Sequence, residues 1–452
     1  MSNEKITPKT LSGMMELLPK DQLKFEQIKR TLEDVYRLYG FFPLDTPVLE
    51  ASSVLLAKAG GETEKQIYRF AKGDNDMTMR FDLTVPLAKY VAKNAAELSF
   101  PFRRYQIGKV YRGERAQKGR FREFYQADID IIGDGKLSVL NDAEIPSMIY
   151  DIFTRLGLDD FTIRINNRKI LNGFYEILNL SSKSADIMRT VDKVEKIGKE
   201  KVIAELEAFE IANSDCEKII DFIASTSSNE EAFEKLSAYL GVNEQYDTGV
   251  EELKSVIEAI SKFGVPSKNY KVDLSIARGL DYYTGTVYET TFNPNPEIGS
   301  ICSGGRYDEL ASFYTDRHLP GVGISIGLTR LFYILSEMDY ISGAYVAPCD
   351  VMILPMIEDT SYIIGLSAKL RRMGINTQIS TEGGKMKSKL NYANRMGIPF
   401  VIFVGEDEIA TGNITLKNME SGEQSSFDVE AAAEHIISYV NSKKLNKIIN
   451  IK

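Results

Sequence analysis

The chain has 452 residues, of which 43% are hydrophobic and 26% are charged, as is typical of a soluble globular protein with two or three domains. Its three cysteines form no C-x-x-C unit, which indicates neither a disulfide framework nor a zinc site and favours a reducing cytosol. The formal net charge of −9 repels nucleic acid on average. With neither an apolar signal segment nor an apolar run of membrane-spanning length, the sequence predicts a cytoplasmic protein without a membrane segment.

The first half of the chain predicts a mixture of helices and antiparallel strands. Residues 21–39 have helical periodicity, and the segment 41–50, "FFPLDTPVLE", predicts a strand bent by its two prolines. Alternation predicts strands at 66–71 and 77–84, followed by a helix over 85–98. Residues 102–114 and 122–133 predict two strands joined by a loop. A helix over 147–157 and a strand over 160–165 complete this half.

The second half predicts a helical block and a separate α/β domain. Residues 182–262 carry ten Lys or Arg against eighteen acidic residues and have a helical composition. Strand signals resume at 270–292, and 321–338 predicts a strand that runs into a helix. The block therefore indicates an insertion in a mostly antiparallel domain of residues 1–345, although an independent helical domain also fits. Beyond a linker, strands alternate with helices and predict an α/β domain over 346–452.

The stretch 277–289, "ARGLDYYTGTVYE", is strand-like but carries Arg278 beside a pair of tyrosines. It suits either a hairpin with two core tyrosines and an incidental ion pair or the lining of a polar ligand pocket.

Residues 102–126 are basic, with eight Arg or Lys against two Glu, and aromatic residues interleave with the arginines. A basic run is usually a solvated face, but this pattern favours a phosphate-handling loop. Guanidinium groups bind phosphate oxygens in bidentate geometry, which suits Arg112 and Arg120. Phe124 and Glu114 could face a purine. Alternation on the second strand places Phe124, Gln126, Asp128 and Asp130 on one face, and no Walker A sequence is present.

The segment "YRGERAQKGRFREFYQ" resembles motif 2 of class II aminoacyl-tRNA synthetases, in the form used by histidyl-tRNA synthetases. The stretches "ARGLDYYTGTVYE" and "SGGRYDEL" resemble that family's two histidine-specific signatures. "GVGISIGLTRL" is similar to motif 3, "FFPLDTPVLE" to motif 1, and "MRFDLTVPLAKYV" to the amino-acid-binding strand and helix. The resemblance implies an α+β fold with an antiparallel catalytic sheet, a helical insertion at about 182–262 and a C-terminal α/β anticodon-binding domain.

The resemblance also implies the activity and its residues. The family activates L-histidine with ATP and Mg²⁺ and transfers it to the transfer RNA for histidine, and motif 1 implies a homodimer. Arg112 and Arg278 are the implied catalytic residues, and Gln117 the implied contact of the RNA acceptor end. The implied histidine contacts are Asp82, Leu83, Thr84, Arg112, Gln126, Asp130, Arg278, Tyr282, Tyr283, Gly304 and Gly305. The implied ATP contacts are Arg112, Glu114, Arg120, Phe124 and Arg330. Neither a resident metal site nor a tightly bound cofactor is implied.

Three positions depart from the family pattern. Ala116 replaces a proline, and Met15 and Glu16 stand where Arg and Asp are common, so the contacts with the RNA acceptor end are open. An alternative reading is a catalytically silent regulatory paralogue of ATP phosphoribosyltransferase that senses histidine. Such proteins lack signature residues and the C-terminal domain.

Overall fold

The computed structural model describes residues 5–57, 62–115, 119–277, 282–341, 346–358 and 360–445. The chain forms two compact units. One unit comprises Met1–Glu16 and Lys29–Asp339, and the other comprises Leu17–Ile28 and Tyr340–Lys452. None of the helices in the described ranges is long and apolar enough to cross a membrane.

The elements up to residue 341 supply the main sheet and the helices around it. The helices are α1 Pro19–Leu38, α2 Ser52–Leu55, α3 Glu62–Gln66, α4 Thr84–Asn94, α5 Leu140–Leu156, α6 Arg168–Ile177, α7 Ser184–Val191, α8 Val194–Ile197, α9 Lys199–Glu207, α10 Asn213–Ile223, α11 Asn229–Ser237, α12 Glu244–Lys262 and α13 Leu328–Glu337. The strands are β1 Phe42–Pro43, β2 Leu49–Ala51, β3 Arg69–Lys72, β4 Asn75–Met79, β5 Phe102–Tyr111, β6 Glu123–Ile132, β7 Phe161–Asn167, β8 Tyr270–Val272, β9 Thr286–Phe292, β10 Ser300–Tyr307 and β11 Gly321–Gly327.

The main sheet is built from antiparallel pairs, with parallel pairs at its two edges. Its described strands follow the order β1-β5-β6-β11-β10-β9-β7-β8, and the pairs β1–β5 and β7–β8 are the parallel ones. Strands β2, β4 and β3 form a smaller antiparallel sheet. The predicted α+β class with an antiparallel catalytic sheet is confirmed.

Strand β6 shows how the sheet acquires one apolar and one polar face. Ala127, Ile129 and Ile131 alternate along it and are fully buried in the core. The intervening Asp128 and Asp130 project from the opposite face, because successive side chains of a strand alternate. Since β6 pairs with β5 on one side and β11 on the other, this polar face lies in the middle of the sheet.

Helices α6–α12 connect β7 to β8, which are neighbours in the main sheet, so the helical block begins at Arg168, before the predicted start at 182. Within this helical block Phe174 stacks on Phe222 with ring centroids 3.8 Å apart, and Tyr239 packs edge-on against both rings. These aromatic contacts give the block an interior of its own while both of its ends remain joined to the sheet.

The second unit has a five-stranded sheet in the order β13-β12-β14-β15-β16. Its remaining elements are β12 Val351–Pro355, α14 Ser361–Arg372, β13 Thr377–Ile379, α15 Met386–Met396, β14 Phe400–Val404, α16 Glu406–Thr411, β15 Ile414–Asn418, β16 Gln424–Phe427 and α17 Val429–Leu445. Strands β12 and β14 pair in parallel and bury Val351, Ile353, Phe400 and Ile402. The predicted alternation of strands and helices is present, but α16 and β16 were not predicted. For β16 the reason is that it is a mostly exposed edge strand without apolar periodicity.

Several predicted elements have other bounds in the structure. The strand predicted over 77–84 is β4 Asn75–Met79, and the helix predicted over 85–98 is α4 Thr84–Asn94. The strand predicted over 277–289 begins at Thr286, and Tyr282 and Tyr283 precede it. Helix α5 begins at Leu140, seven residues before the predicted start, and Pro146 lies inside it. Proline removes one backbone donor, but fully buried apolar residues on both sides of Pro146 compensate by packing.

Candidate active site

A cleft with a volume of about 580 Å³ lies over the polar face of the main sheet. It brings together side chains from segments that are far apart in the sequence. The predicted residues that line it are Asp82, Thr84, Arg112, Glu114, Arg120, Phe124, Gln126, Asp130, Tyr282, Tyr283, Gly304 and Arg330.

Two predicted residues within the described ranges are not among those that line the cleft. Leu83 is fully buried in the core. Gly305 lies behind Tyr283, since a Cβ atom there would be 2.9 Å from Cδ1 of that ring. Arg278 and Gln117 lie outside the described residues.

Side chains of strand β6 form a row along the cleft. Phe124, Gln126, Asp128 and Asp130 all line it and are spaced two residues apart, so they project from one face at intervals of about 7 Å. Phe124 lies opposite Val110 on β5, and Asp130 lies at the other end of the strand. The row therefore runs from an aromatic end to an acidic end over roughly 20 Å.

Arg112 is held at the aromatic end. Its guanidinium carbon lies 4.5 Å from the centroid of the Phe81 ring and 5.1 Å from that of Phe124. Its Nε donates a hydrogen bond to the Phe81 carbonyl oxygen at 3.2 Å. One edge of the guanidinium is thus fixed by the backbone and its faces by two rings, which restricts the group to one orientation.

Two more arginines line this end of the cleft. Arg120 lies 3.5 Å from Glu114, but its side chain is 45% exposed, so the ion pair is largely screened by solvent. Arg330, in the first turn of α13, donates to the Ile298 carbonyl oxygen. The aromatic end is therefore rich in guanidinium groups that suit an anion such as a polyphosphate.

The opposite end of the cleft is acidic and buried. Arg104 is fully buried, and its Nη2 lies 2.7 Å from Asp130 Oδ2. Tyr307 donates a hydrogen bond to Asp130 Oδ1 at 2.6 Å. Burial raises the pKa of Asp128 to about 7 and the pKa of Asp130 to about 6, although the charge of Arg104 opposes both shifts. When both are ionised, these two carboxylates carry more negative charge than this one arginine neutralises.

Some buried oxygens at this end accept no hydrogen bond from any described residue. They are Gln126 Oε1, Asp128 Oδ1 and Asp130 Oδ2. The contact between Arg104 and Asp130 has the distance of an ion pair but not the angle of a hydrogen bond. Buried acceptors without donors cost free energy, so this end suits a ligand that brings its own N–H groups.

Asp82 combines two roles that the sequence could not separate. Its Oδ1 accepts a hydrogen bond from the Val85 backbone at 3.0 Å, which caps the start of α4. The same side chain is 3% exposed and lines the cleft. Burial raises its pKa, while the Val85 hydrogen bond and the charges of Arg112 and Arg104 oppose this rise.

Three tyrosines form a wall beside the acidic end. The ring centroids of Tyr282 and Tyr283 are 4.8 Å apart, and those of Tyr282 and Tyr307 are 5.8 Å apart, both edge to face. Gly323 on β11 makes room for this arrangement, because a Cβ atom there would lie 2.3 Å from Asp130 Oδ1. Any larger residue at that position would displace the carboxylate.

Sequence reasoning gave no role to Arg104 or Tyr307 and left Asp128 without a function. Arg104 lies in the predicted basic strand, and its pairing with Asp130 follows from the hairpin register, which the sequence alone did not set. Tyr307 lies within the signature "SGGRYDEL", two residues after Gly305 and hence on the same face of β10. Arg104 and Tyr307 were therefore visible in the sequence, but their roles could be inferred only once the pairing register of the strands was known.

We expect the free energy of unfolding of the unliganded protein to fall as the pH rises from about 4 to about 7. The pKa values of Asp128 and Asp130, about 7 and about 6, lie above the ordinary carboxyl range. The folded state therefore holds more protons than the unfolded state in this window, so stability present below it is lost as the pH rises. Over this window the free energy of unfolding of the Asp128→Asn variant should fall less than that of the unsubstituted protein, by roughly 1 kcal/mol or more. Urea unfolding of both proteins across this window measures the difference, and parallel profiles would contradict the assignment.

Comparisons with known proteins agree with this arrangement. Residues 13–331 match the family model described as histidyl-tRNA synthetase, and residues 350–439 match the model of an anticodon binding domain. A histidine–tRNA ligase of Clostridium tetani is 52% identical over 437 residues, which cover 96% of this chain and 99% of the relative. One from Finegoldia magna is 47% identical over 431 residues, which cover 95% of this chain and the whole of the relative.

Solved structures share the fold. A histidyl-tRNA synthetase from a Nostoc species superposes with a TM-score of 0.88 at 40% identity and covers 96% of this chain and 100% of its own. A protein from Bacillus halodurans, described as an ATP phosphoribosyltransferase regulatory subunit/histidyl-tRNA synthetase, has a TM-score of 0.72 at 22% identity and covers 88% of this chain and 99% of its own. At that identity the second likeness concerns the fold alone. The family-model match and the nearly full-length relatives establish that the chain belongs to the histidyl-tRNA synthetase family.

Proposed function

We propose that the chain ligates L-histidine to the transfer RNA for histidine in two steps. The histidine carboxylate attacks the α-phosphorus of ATP, which forms histidyl-adenylate and releases pyrophosphate. The terminal ribose hydroxyl of the RNA then attacks the adenylate carbonyl carbon and releases AMP. The observation that carries this proposal is the polarity of one cleft, with guanidinium groups at its aromatic end and buried acceptors at its acidic end.

The aromatic end suits ATP. We assign the α-phosphate to Arg112 and Arg278, because negative charge develops there in the transition state and a fixed cation stabilises it. The role of Arg278 rests on the resemblance of "ARGLDYY" to the family signature. Arg120 is assigned to the outer phosphates. Phe124 and Arg330 are assigned to the two faces of the adenine, and Glu114 to its edge.

The acidic end suits histidine. Asp82 and Thr84, on either side of the buried Leu83, are assigned to the ammonium group, and Gln126 to the carboxylate end. Asp130 and Tyr283 are assigned to the two imidazole nitrogens. Tyr282, Gly304 and Gly305 would shape the pocket around them. A site whose polar groups match both nitrogens rejects amino acids that lack them by roughly 10⁴-fold, because those groups are then left unpaired.

Mg²⁺ enters this proposal with the nucleotide. Within the ranges that the structure describes, no group of three or more His, Cys, Asp or Glu side chains is placed to hold a metal ion. We therefore treat the ion as part of the ATP substrate, bound by phosphate oxygens. No tightly bound cofactor is proposed.

The proposed RNA contacts divide between two parts of the chain. Residues 1–345, with the helical insertion at about 182–262, would form the catalytic part, and residues 346–452 the anticodon-binding part. The matches at 13–331 and 350–439 support this division. Gln117 is assigned to the acceptor end of the RNA, next to the unusual Ala116. The cytoplasm, where transfer RNA is charged, is the proposed location.

We also propose a homodimer that forms through motif 1, residues 41–50. In the single chain, Phe42 and Leu49 of this segment are 69% and 43% exposed. Large apolar side chains exposed on a short edge strand are costly in water and are commonly covered by a partner.

A silent histidine sensor is the competing function. It would need the acidic end of the cleft but not the phosphate-binding end. Here Arg112, Arg120 and Arg330 all line the cleft, and the C-terminal part matches an anticodon-binding model. Both features favour the ligase.

The experiment that separates the two is histidine-dependent exchange of radiolabelled pyrophosphate into ATP. A ligase is expected to exchange label with L-histidine and not with the other amino acids, since only histidine fills the acceptors at the acidic end. A sensor would bind histidine, as measured by calorimetry, without any exchange. That pattern would overturn the proposed function.

A further inference from the structure

The end of strand β7 holds the chain on both sides of the segment that contains Arg278. Residues 273–277 precede this segment and residues 282–285 follow it, and the structure describes both flanks. Arg164 and Asn166 of β7, and Arg168 at the start of α6 directly after it, donate hydrogen bonds to these flanks. The position of both flanks therefore depends on β7 and the residue that directly follows it.

Arg164 is the main link on the upstream side. Its Nε donates to Asp273 Oδ2 at 2.8 Å, and its Nη2 donates to Ser275 Oγ at 2.9 Å. Arg164 and Asp273 are 9% and 4% exposed, so this is a buried ion pair in which the planar guanidinium bridges two side chains. Lys271, which is more exposed, lies 3.3 Å from the same carboxylate and is a second cationic partner.

Backbone groups are held as well. Asn166 Nδ2 donates to the carbonyl oxygens of Leu274 at 3.3 Å and Ile276 at 3.0 Å. Downstream, the Arg168 N–H donates to the Gly285 carbonyl oxygen at 2.8 Å. Both flanks are thus held by β7 and the first residue of α6, which limits how far either flank can move.

Glu195 extends this network into the helical block. It lies in α8, and its Oε1 accepts a hydrogen bond from Arg164 Nη2 at 2.7 Å. Its side chain is 65% exposed, whereas the arginine is buried. Arg164 and Glu195 also line a cavity of about 460 Å³ that shares Glu289 and Ser300 with the active-site cleft. One arginine therefore connects the helical block to the chain just before Arg278.

We propose that Arg164 is a positioning residue for adenylate formation and that Glu195 makes this positioning depend on the helical block. The inference rests on the proposed function, because Arg278 has a role only if the cleft forms an adenylate. A cation stabilises a transition state only when its donors are held in place, and a displacement of about 1 Å can cost up to about 100-fold in rate. Because Arg278 is assigned to the α-phosphate and the imidazole to the acidic end, such a displacement lowers the rate far more than it weakens histidine binding.

The test compares single substitutions in the full chain by pyrophosphate exchange, with rates divided by the concentration of active sites. Arg164→Lys keeps the charge and removes the planar fork, and we expect it to lower kcat by roughly 10-fold to 100-fold with an unchanged KM for histidine. Glu195→Gln removes an exposed ion pair, and we expect kcat to fall about two- to fivefold. The matched control is Glu205→Gln, which breaks the exposed Lys193–Glu205 pair of the same helical block and is expected to leave kcat unchanged.

Two further measurements separate positioning from a general loss of structure. Hydrogen exchange of the backbone amides of residues 272–277 should accelerate in Arg164→Lys, while the amides of β12 and β14 keep their protection. Glu195→Gln should have no additional effect on kcat in the Arg164→Lys background, because its partner geometry is already lost.

Four outcomes would overturn the inference. If Arg164→Lys retains the full kcat, or if it lowers kcat and raises the KM for histidine in proportion, Arg164 does not act by positioning. If Glu195→Gln and Glu205→Gln have equal effects, the link to the helical block is wrong. If the unsubstituted chain shows no histidine-dependent exchange, the proposed function is wrong and this inference fails with it. The other outcomes contradict this inference alone, so the two failures are distinguishable.

Discussion

Substitution of Arg112 by alanine is expected to slow histidyl-adenylate formation by roughly 100-fold or more at saturating substrates. Arg112 lines the cleft with its guanidinium held between the rings of Phe81 and Phe124 and against a backbone carbonyl. Because this orientation is already set in the unliganded protein, the cation can meet the developing charge on the α-phosphate without reorganisation. Single-turnover measurements of adenylate formation, by rapid quench, report the chemical step directly.

Arg115→Ala is the matched control for this prediction. Arg115 lies three residues further along the same basic segment, is exposed and is not among the residues that line the cleft. It should leave the adenylation rate within about twofold of that of the unsubstituted protein, because it makes no contact at the proposed reacting phosphate. Equal losses in both variants would indicate a general effect of positive charge on ATP binding and would contradict the specific role of Arg112.

Substitution of Arg104 by methionine is expected to lower the free energy of unfolding by about 3–5 kcal/mol at about pH 8. Arg104 is fully buried and lies 2.7 Å from Asp130, which is also buried. Methionine fills much of the same volume but leaves the carboxylates of Asp128 and Asp130 without their nearest positive charge. Histidine binding should be lost as well, since these side chains form the acidic end of the cleft.

The pH dependence and a neighbouring arginine make this prediction specific. At about pH 5 both carboxyls are protonated, since their pKa values are about 7 and about 6, so the loss should be clearly smaller than at about pH 8. The control is Arg103→Met, which breaks the more exposed pair with Glu144 on the other face of β5 and is expected to cost about 1 kcal/mol. Urea unfolding at both pH values measures these differences, and an Arg104 effect that is independent of pH would argue against buried carboxylates as its cause.

Much of the catalytic sheet could be predicted from local pattern. The alternation in residues 102–114 and 122–133 identified β5 and β6, and it placed Phe124, Gln126, Asp128 and Asp130 on one face, as the structure shows. This succeeded because side chains of a strand alternate with a period of two residues whatever the strand's neighbours are. The start of α5 was predicted less well, because the proline signal at Pro146 is local whereas the packing that outweighs it is not.

The site was only partly predictable from the residues themselves. Arginines near aromatic residues indicated phosphate binding, and the resemblance to a family supplied the roles of Asp82, Tyr283 and Arg330. The pairing of Arg104 with Asp130 and the hydrogen bond from Tyr307 were not predicted. Both depend on which strands lie side by side, and strand order is decided by the burial of whole faces and not by any short segment.

By itself, the sequence determined the strand and helix types of the catalytic core, the basic and aromatic character of residues 102–126, and the family to which its signatures point. These properties depend on neighbouring residues and on spacing along the chain. The tertiary structure alone decided that arginines from two segments, residues 102–126 and α13, converge at one end of a cleft and that buried carboxylates gather at the other. The physical reason is that charge neutralisation and burial act through space, between β6 and residues up to about two hundred positions away, which no local pattern encodes.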